Sequence, residues 1–466
     1  MRKFILISIL FCLPMLFTIA QEQQLPMLAA KSDAQTPSRK DSLRYTLSYS
    51  AGFNAGYIMP DGKVDVYPKD RPVLGGKIGI EIRPTRPPQG LRDWNNASVG
   101  VAVDYLNLGN DKWLGNLIAP YTYLNVPIVR TPHFRFGIRP GIGLAFTSKT
   151  YYNTIPQDLE NKVLYKYGND IIANQCAGSV TNFYFAEALY LEFPISNGFS
   201  IMATGGWYHA SNGSTIQPNS GYNMFNAEIG VRYTPEETQR EEEKVYADRI
   251  VPPALPLYEG KRWDVEISAS GGFRQCYYYD KQYSNATVGV ASVSIAAHYR
   301  PWAIFKIGGG IDMFYDGYYR SVSDEFMPLA QAETENIPLT HFKKTYLAQS
   351  DIKNCFRVGI SLQPEFVVGR FTTGFHFGVY LFDPVKNLEP YNEAKKSASG
   401  TPPLSTQKKS IFYSYDLGSI GTKADGWFYT RILLKYRVTD YIFVQLGMKA
   451  HLTKVEFIDA GLGVQL

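Results

Sequence analysis

His209 and Ser211 stand two residues apart at the start of the stretch WYHASNGSTIQPNSGYNMFNAEIGVRY, Trp207 to Tyr233. Residues two apart on a β-strand project from the same side. Phe199, Ile201, Ala203 and Trp207 share that parity, so the imidazole and the hydroxyl belong to the strand's apolar face. A base beside a hydroxyl is the minimal equipment for nucleophilic acyl transfer, because the imidazole can take the proton as the oxygen attacks a carbonyl. On a face that meets lipid, the matching substrate is an acyl ester of a lipid.

Such a face requires strands that cross a membrane. The chain of 466 residues opens with Met1, Arg2 and Lys3, an apolar run from Phe4 to Ile19, and Ala20 before the polar stretch at Gln21. This is the pattern of a secretory signal peptide, with cleavage expected after Ala20. Cys12 lacks the small residue that precedes a lipidated cysteine. No later run reaches the roughly 18 apolar residues that a helical span needs. Mean hydropathy is only −0.19, yet aromatic residues make up 14% of the chain. Low hydropathy with many short alternating segments predicts an all-β, antiparallel transmembrane β-barrel, in which only one face of each strand meets lipid.

Eight such segments lie near 44–58, 74–83, 96–106, 116–127, 134–147, 180–194, 198–211 and 222–234. In the first, Tyr45, Leu47, Tyr49, Ala51, Phe53, Ala55 and Tyr57 alternate with small or polar residues. Glu81, Arg83, Asp104, Arg135, Arg139, Glu228 and Arg232 carry the parity of the small residues, as expected of a lumen that pairs its own charges. Eight more segments follow near 263–276, 286–299, 302–315, 356–368, 370–382, 425–438, 441–452 and 454–466. Long connections follow odd-numbered strands and tight turns follow even-numbered ones, the asymmetry of outer loops and periplasmic turns.

The stretch 236–261 between the halves is charged and then Pro-rich, EETQREEEK followed by PPALPLYEGK. It reads as a periplasmic linker between two eight-stranded barrels in tandem, 44–235 and 262–466. A single sixteen-stranded barrel is the other closure. Eight strands suffice to close a barrel, which favours the tandem. Residues 21–43 are polar, without alternation, and read as a disordered arm.

Lys and Arg number 47 against 42 Asp and Glu, too even a balance to imply nucleic acid or another anionic partner. Scattered histidines, with no HExxH or CxxC spacing, predict no metal. There is no P-loop or dinucleotide fingerprint, so no cofactor is expected. Three cysteines would remain after cleavage, and a Cys276–Cys355 disulfide is one possibility among them.

The pattern His-x-Ser-Asn, then Pro-Asn-x-Gly and an eighth strand, resembles the lipid A 3-O-deacylases, eight-stranded outer-membrane barrels related by name to acyloxyacyl hydrolases. Residues 44–235 cover that whole barrel; the second half is not part of the simplest members. The resemblance implies a serine esterase acting on lipid A or lipopolysaccharide in the outer leaflet, with Ser211 as nucleophile, His209 as base and a carboxylate orienting the imidazole. Strand seven would deliver the pair to the outer rim. Asn212, Asn219 and backbone N–H groups of the turn would stabilise the oxyanion.

The family's acid falls two residues after the glycine, where this chain has Asn223. An amide can accept the imidazole's hydrogen bond but cannot offset its charge. Glu187 shares the outward parity of Phe185, Leu189 and Leu191. A turn at Ser196–Gly198 is expected to set it opposite His209 as the replacement acid; its alternative is a carboxylate reaching the headgroup layer. The rival to the esterase is a non-catalytic barrel, scaffold or pore, that keeps the fold without the acid. His451 and Thr453 echo the motif in the second half, but His451 shares the parity of Gln445 and Lys449 and is expected to face the lumen.

Overall fold

The computed structural model describes residues 45–59, 71–84, 87–131, 133–154, 174, 176–196, 198–235, 256–275, 287–318, 352–383, 415–416, 423–424, 428–451 and 454–466. The segments expected to be a signal peptide, an arm at 21–43 and most of a linker, together with Cys276 and Thr453, lie outside the described residues.

Eight strands form the first sheet: β1 (Tyr45–Ile58), β2 (Val73–Pro84), β3 (Ser98–Asn107), β4 (Asn116–Arg130), β5 (Arg135–Thr147), β6 (Thr181–Ser196), β7 (Phe199–Ser211) and β8 (Tyr222–Tyr233). Each pairs antiparallel with the next, and β1 pairs with β8, so the sheet closes. The second barrel comprises β9 (Trp263–Gln275), β10 (Thr287–Trp302), β11 (Phe305–Asp316), β12 (Phe356–Val368), β13 (Phe371–Phe382), β16 (Phe428–Arg437), β17 (Ile442–His451) and β18 (Lys454–Gln465). It closes between β18 and β9. The short pair β14 (Tyr415–Asp416) and β15 (Lys423–Ala424) forms a separate ribbon between β13 and β16. The fold is therefore two closed eight-stranded barrels rather than one of sixteen.

Strand alternation becomes an inside-out protein. Ile78 and Ile229 are about two-thirds exposed on the outside, while the charged residues are buried within. Glu81 meets Arg83 at 3.0 Å and Arg232 at 3.3 Å, and Arg232 also reaches Glu192 at 2.9 Å. Lys77 pairs with Glu228, the Tyr184 hydroxyl donates to Asp104 at 2.8 Å, and Arg139 lies over the rings of Tyr123 and Tyr190. In the second lumen, Lys306 and Lys435 bracket Glu365 at 3.1 and 2.7 Å, and Glu456 meets Arg357 at 2.8 Å. Charges removed from water persist only when paired, and an eight-stranded lumen is narrow enough for side chains to fill it.

Tight turns at 303–304, 369–370 and 438–441 lie on one rim, and longer connections such as 108–115 and 212–221 on the other. The barrels touch at both rims. On the short-turn rim, the Trp94 indole donates to the Val367 carbonyl at 2.7 Å and packs on Phe366. There Gly90 lies so close to Gly369 that an added Cβ would come within 2.4 Å of its nitrogen. On the long-loop rim, the β7–β8 connection rests on β9 and β18.

Candidate active site

The last two outward residues of β7 are His209 and Ser211, on the face that carries exposed Phe199 and Ile201. The Ser211 hydroxyl is 2.8 Å from His209 Nε2. Across the β7–β8 ladder, His209 is paired with Asn223, whose Oδ1 lies 2.7 Å from Nδ1. A carbonyl oxygen can only accept, so Nδ1 carries the proton and Nε2 presents its lone pair to the serine hydroxyl. That is the tautomer a general base requires.

The pair is nearly closed off, with His209 6% and Ser211 3% exposed. Trp207 stacks on the imidazole, ring centroids 5.3 Å apart and planes 19° from parallel. Gly221 lies against the pair as well: a Cβ there would lie 2.9 Å from His209 Cε1 and 3.2 Å from Ser211 Cβ. Its φ of +74° also favours glycine.

The connection 212–221 is a knot of hydrogen bonds. The Asn212 amide donates to Ser179 Oγ at 2.9 Å and to the Ile216 carbonyl at 2.8 Å, and its backbone N–H donates to Asn219 Oδ1 at 3.1 Å. The Tyr152 hydroxyl donates to the Gln217 carbonyl and the Gly221 N–H to that of Cys176. Asn212 and Asn219 are thus brought together, but every Asn212 donor is committed to shaping the loop. Donors left in the turn are the Asn219 amide nitrogen and the N–H groups of Gly213, Ser214, Asn219 and Ser220, which carry no hydrogen bond among the described residues. Gly213 and Ser214 sit at φ of +62° and +65°.

Glu187 is not where the sequence reading set it. The turn before Phe199, with its register shift between Pro194 and Ser196, places Phe185 opposite His209 and Glu187 opposite Trp207. Both imidazole nitrogens already have partners in Ser211 and Asn223. Among the described residues Glu187 has no hydrogen bond or ion pair, and it stands exposed on the apolar face. Nothing in the structure explains a carboxylate there.

His451 faces the second lumen, its Nε2 3.0 Å from the Tyr380 hydroxyl. Asp264, Glu266 and His298 are close enough together to hold a metal. Lys306 and Lys435, however, both pair with Glu266 and supply the positive charge that the carboxylates need. Cys176 and Cys355 are buried. Sequence reasoning missed Gly221 as the wall of the pair, Trp207 as its stacking partner and Ser179 as the loop's anchor; only the parity of Trp207 could have signalled one of them.

Comparison with known proteins agrees with this division into two barrels. A family described as lipid A 3-O-deacylase matches residues 77–232. A second, described as the acyloxyacyl hydrolase C-terminal domain, matches 263–393. No curated protein matches the chain. Among solved structures, the outer membrane enzyme PagL is 15% identical, with 40% of this chain and 98% of that one covered at a TM-score of 0.24. Ail, the attachment invasion locus protein of Yersinia pestis, is 12% identical over 41% of this chain and 98% of its own, at a TM-score of 0.23. A mutant porin of Rh. blastica is 10% identical over 91% of this chain and all of its own, at a TM-score of 0.15.

Proposed function

Since the chain belongs to the lipid A 3-O-deacylase and acyloxyacyl hydrolase-like family of bacterial outer-membrane barrels, we propose that it is a serine esterase releasing an ester-linked acyl chain from lipid A, with Ser211 as nucleophile and His209 as base. The observation that carries this reading is the unbroken line Ser211 Oγ, His209 Nε2, His209 Nδ1, Asn223 Oδ1, with both contacts under 3 Å. It stands at the long-loop end of an apolar outer face, level with where lipid headgroups and their first acyl esters would lie.

In the proposed reaction the serine oxygen attacks the ester carbonyl while its proton passes to Nε2. Collapse of the tetrahedral intermediate breaks the bond to the lipid's alcohol oxygen, which takes the proton back from the imidazolium. Water, deprotonated by the same imidazole, then cleaves the acyl-serine and releases the fatty acid. Asn223 holds the ring and its tautomer throughout but meets the imidazolium with a dipole instead of a charge. The oxyanion would draw on the Asn219 amide and the N–H groups of Gly213 and Ser214, with Asn212 shaping the turn that presents them. Lipid enters sideways from the membrane, and the reaction needs no cofactor.

The test is mass spectrometry of lipid A from cells producing the wild-type chain or Ser211→Ala. Loss of one acyl chain with the wild type alone is expected. Identical lipid A in both, with each protein folded in the outer membrane, would leave the scaffold reading in its place.

A further inference from the structure

The loop that follows Ser211 is held on one side by its own barrel and on the other by the second. Ser214 Oγ donates to the Val455 carbonyl at 2.9 Å, and the Ser214 carbonyl accepts from the Gln275 N–H at 2.9 Å. The Gln217 N–H donates to Gln275 Oε1 at 3.0 Å. Gly213 lies flat on Ile458, so that a Cβ added to it would fall 2.2 Å from that side chain. Val455 and Ile458 open β18 and Gln275 ends β9, the two strands that seal the second barrel.

Ser214 gives this contact its meaning. A non-glycine residue at φ of +65° is disfavoured for an L-amino acid. Glycine would make the same turn without strain. What serine adds is a hydroxyl, and the described structure spends that hydroxyl on the second barrel. The strain is offset by a bond across the barrel boundary, three residues beyond the nucleophile.

We propose that the second barrel is a positioning part of the active site: Gln275, Val455 and Ile458 fix the loop 212–221 so that its N–H groups face Ser211 and Gly221 stays against the imidazole. This rests on the esterase reading. Gln275 is a positioning residue, since it acts through the loop and touches neither member of the pair. The duplication then has a use that does not require the second barrel to possess chemistry of its own.

The experiment compares the full-length wild type with Ser214→Gly, Gln275→Ala and Gln275→Glu. Ser214→Gly relaxes the backbone while deleting the hydroxyl, so a loss of function in it is not a folding defect. Gln275→Glu keeps an oxygen to accept from Gln217 and serves as the rescue. Two readouts are taken: kcat and KM for lipid A deacylation, and amide hydrogen exchange in the peptide spanning 209–223. Ser214→Gly and Gln275→Ala are expected to lower kcat about tenfold, because misplacing catalytic groups slightly is costly, with KM within about twofold if uniform binding is preserved. Both should exchange faster in that peptide while the strands stay protected, and Gln275→Glu should follow the wild type. Unchanged exchange, or faster exchange with kcat intact, overturns the proposal. A wild type with no activity on lipid A removes the esterase reading instead, and exchange still decides whether the second barrel fixes the loop.

Discussion

If Ser211 and His209 work as an esterase pair, the neutral amide at Asn223 limits the rate, and Asn223→Asp should raise it. The side chains are the same size, and the oxygen at issue already lies 2.7 Å from Nδ1, so the substitution changes charge with little change in shape. Before proton transfer the imidazole is neutral and either residue serves. After it, the imidazolium meets a dipole from asparagine but a full charge from aspartate. A unit pair about 4 Å apart attracts by about 4 kcal/mol at an effective dielectric of about 20. Asn223 is half-buried, so desolvating the new carboxylate takes back part of this. A net gain of about 2 kcal/mol remains, in line with charge-assisted hydrogen bonds being about twice as strong as neutral ones. At 1.36 kcal/mol per decade this is about 30-fold in kcat. Because the gain arises only once the ring is charged, KM should hardly move. The assay is fatty-acid release from purified lipid A by the detergent-solubilised full chain, with kcat and KM resolved separately and Asn223→Ala as the control that should fall below the wild type. A folded Asn223→Asp protein with kcat at or below the wild type would refute the reasoning, since the ring would then need nothing from the charge of its Nδ1 partner.

Two other substitutions separate the pair's neighbours. Gly221→Ala should abolish turnover, because its methyl would press on the imidazole at 2.9 Å and its φ of +74° would cost about 1–2 kcal/mol in any L-residue; lipid A mass spectra unchanged from wild-type cells would contradict it. Glu187→Gln should leave kcat within about twofold of wild type, as expected for a surface change remote from any partner, and a large fall in the same fatty-acid assay would restore Glu187 to the chemistry.

The strands were legible because a barrel wall writes itself into the chain at period two. Tyr45 to Tyr57 alternate without a break, and that run became β1. The parity of Glu81, Asp104, Glu228 and Arg232 foretold a charged lumen, and all four are buried. Parity also put His209 and Ser211 on the outer face. It could not set register, which depends on how a turn is built: the turn before Phe199, with its irregularity between Pro194 and Ser196, leaves Glu187 opposite Trp207, two pairs along the ladder from the expected partner His209. Nor could it reveal contacts between residues far apart in sequence. Ser214 and Val455 are 241 residues apart, and neither belongs to a local pattern that announces the other. Asn223 lies between these cases, since its spacing was readable and its 2.7 Å contact needed the ladder between β7 and β8.

The two lumens bear on what the second barrel is for. A pore would need an open interior, yet Glu365 is ringed by Lys306, Lys435 and His376, and Lys449 lies among Phe314, Tyr380 and Phe457. Opening such a lumen would strand charges that are stable only as pairs. His451, the echo of His209 in the second half, faces inward to Tyr380, where no membrane lipid can reach it. Among the described residues the inside of the second barrel is committed to holding itself closed, and the contribution proposed for it comes from its outer surface. At the long-loop rim that surface is β9 and β18, and what they touch is the loop beside Ser211. A closed barrel is a stiff body with no free edge, which is the property required of a support for a loop carrying a strained residue at Ser214.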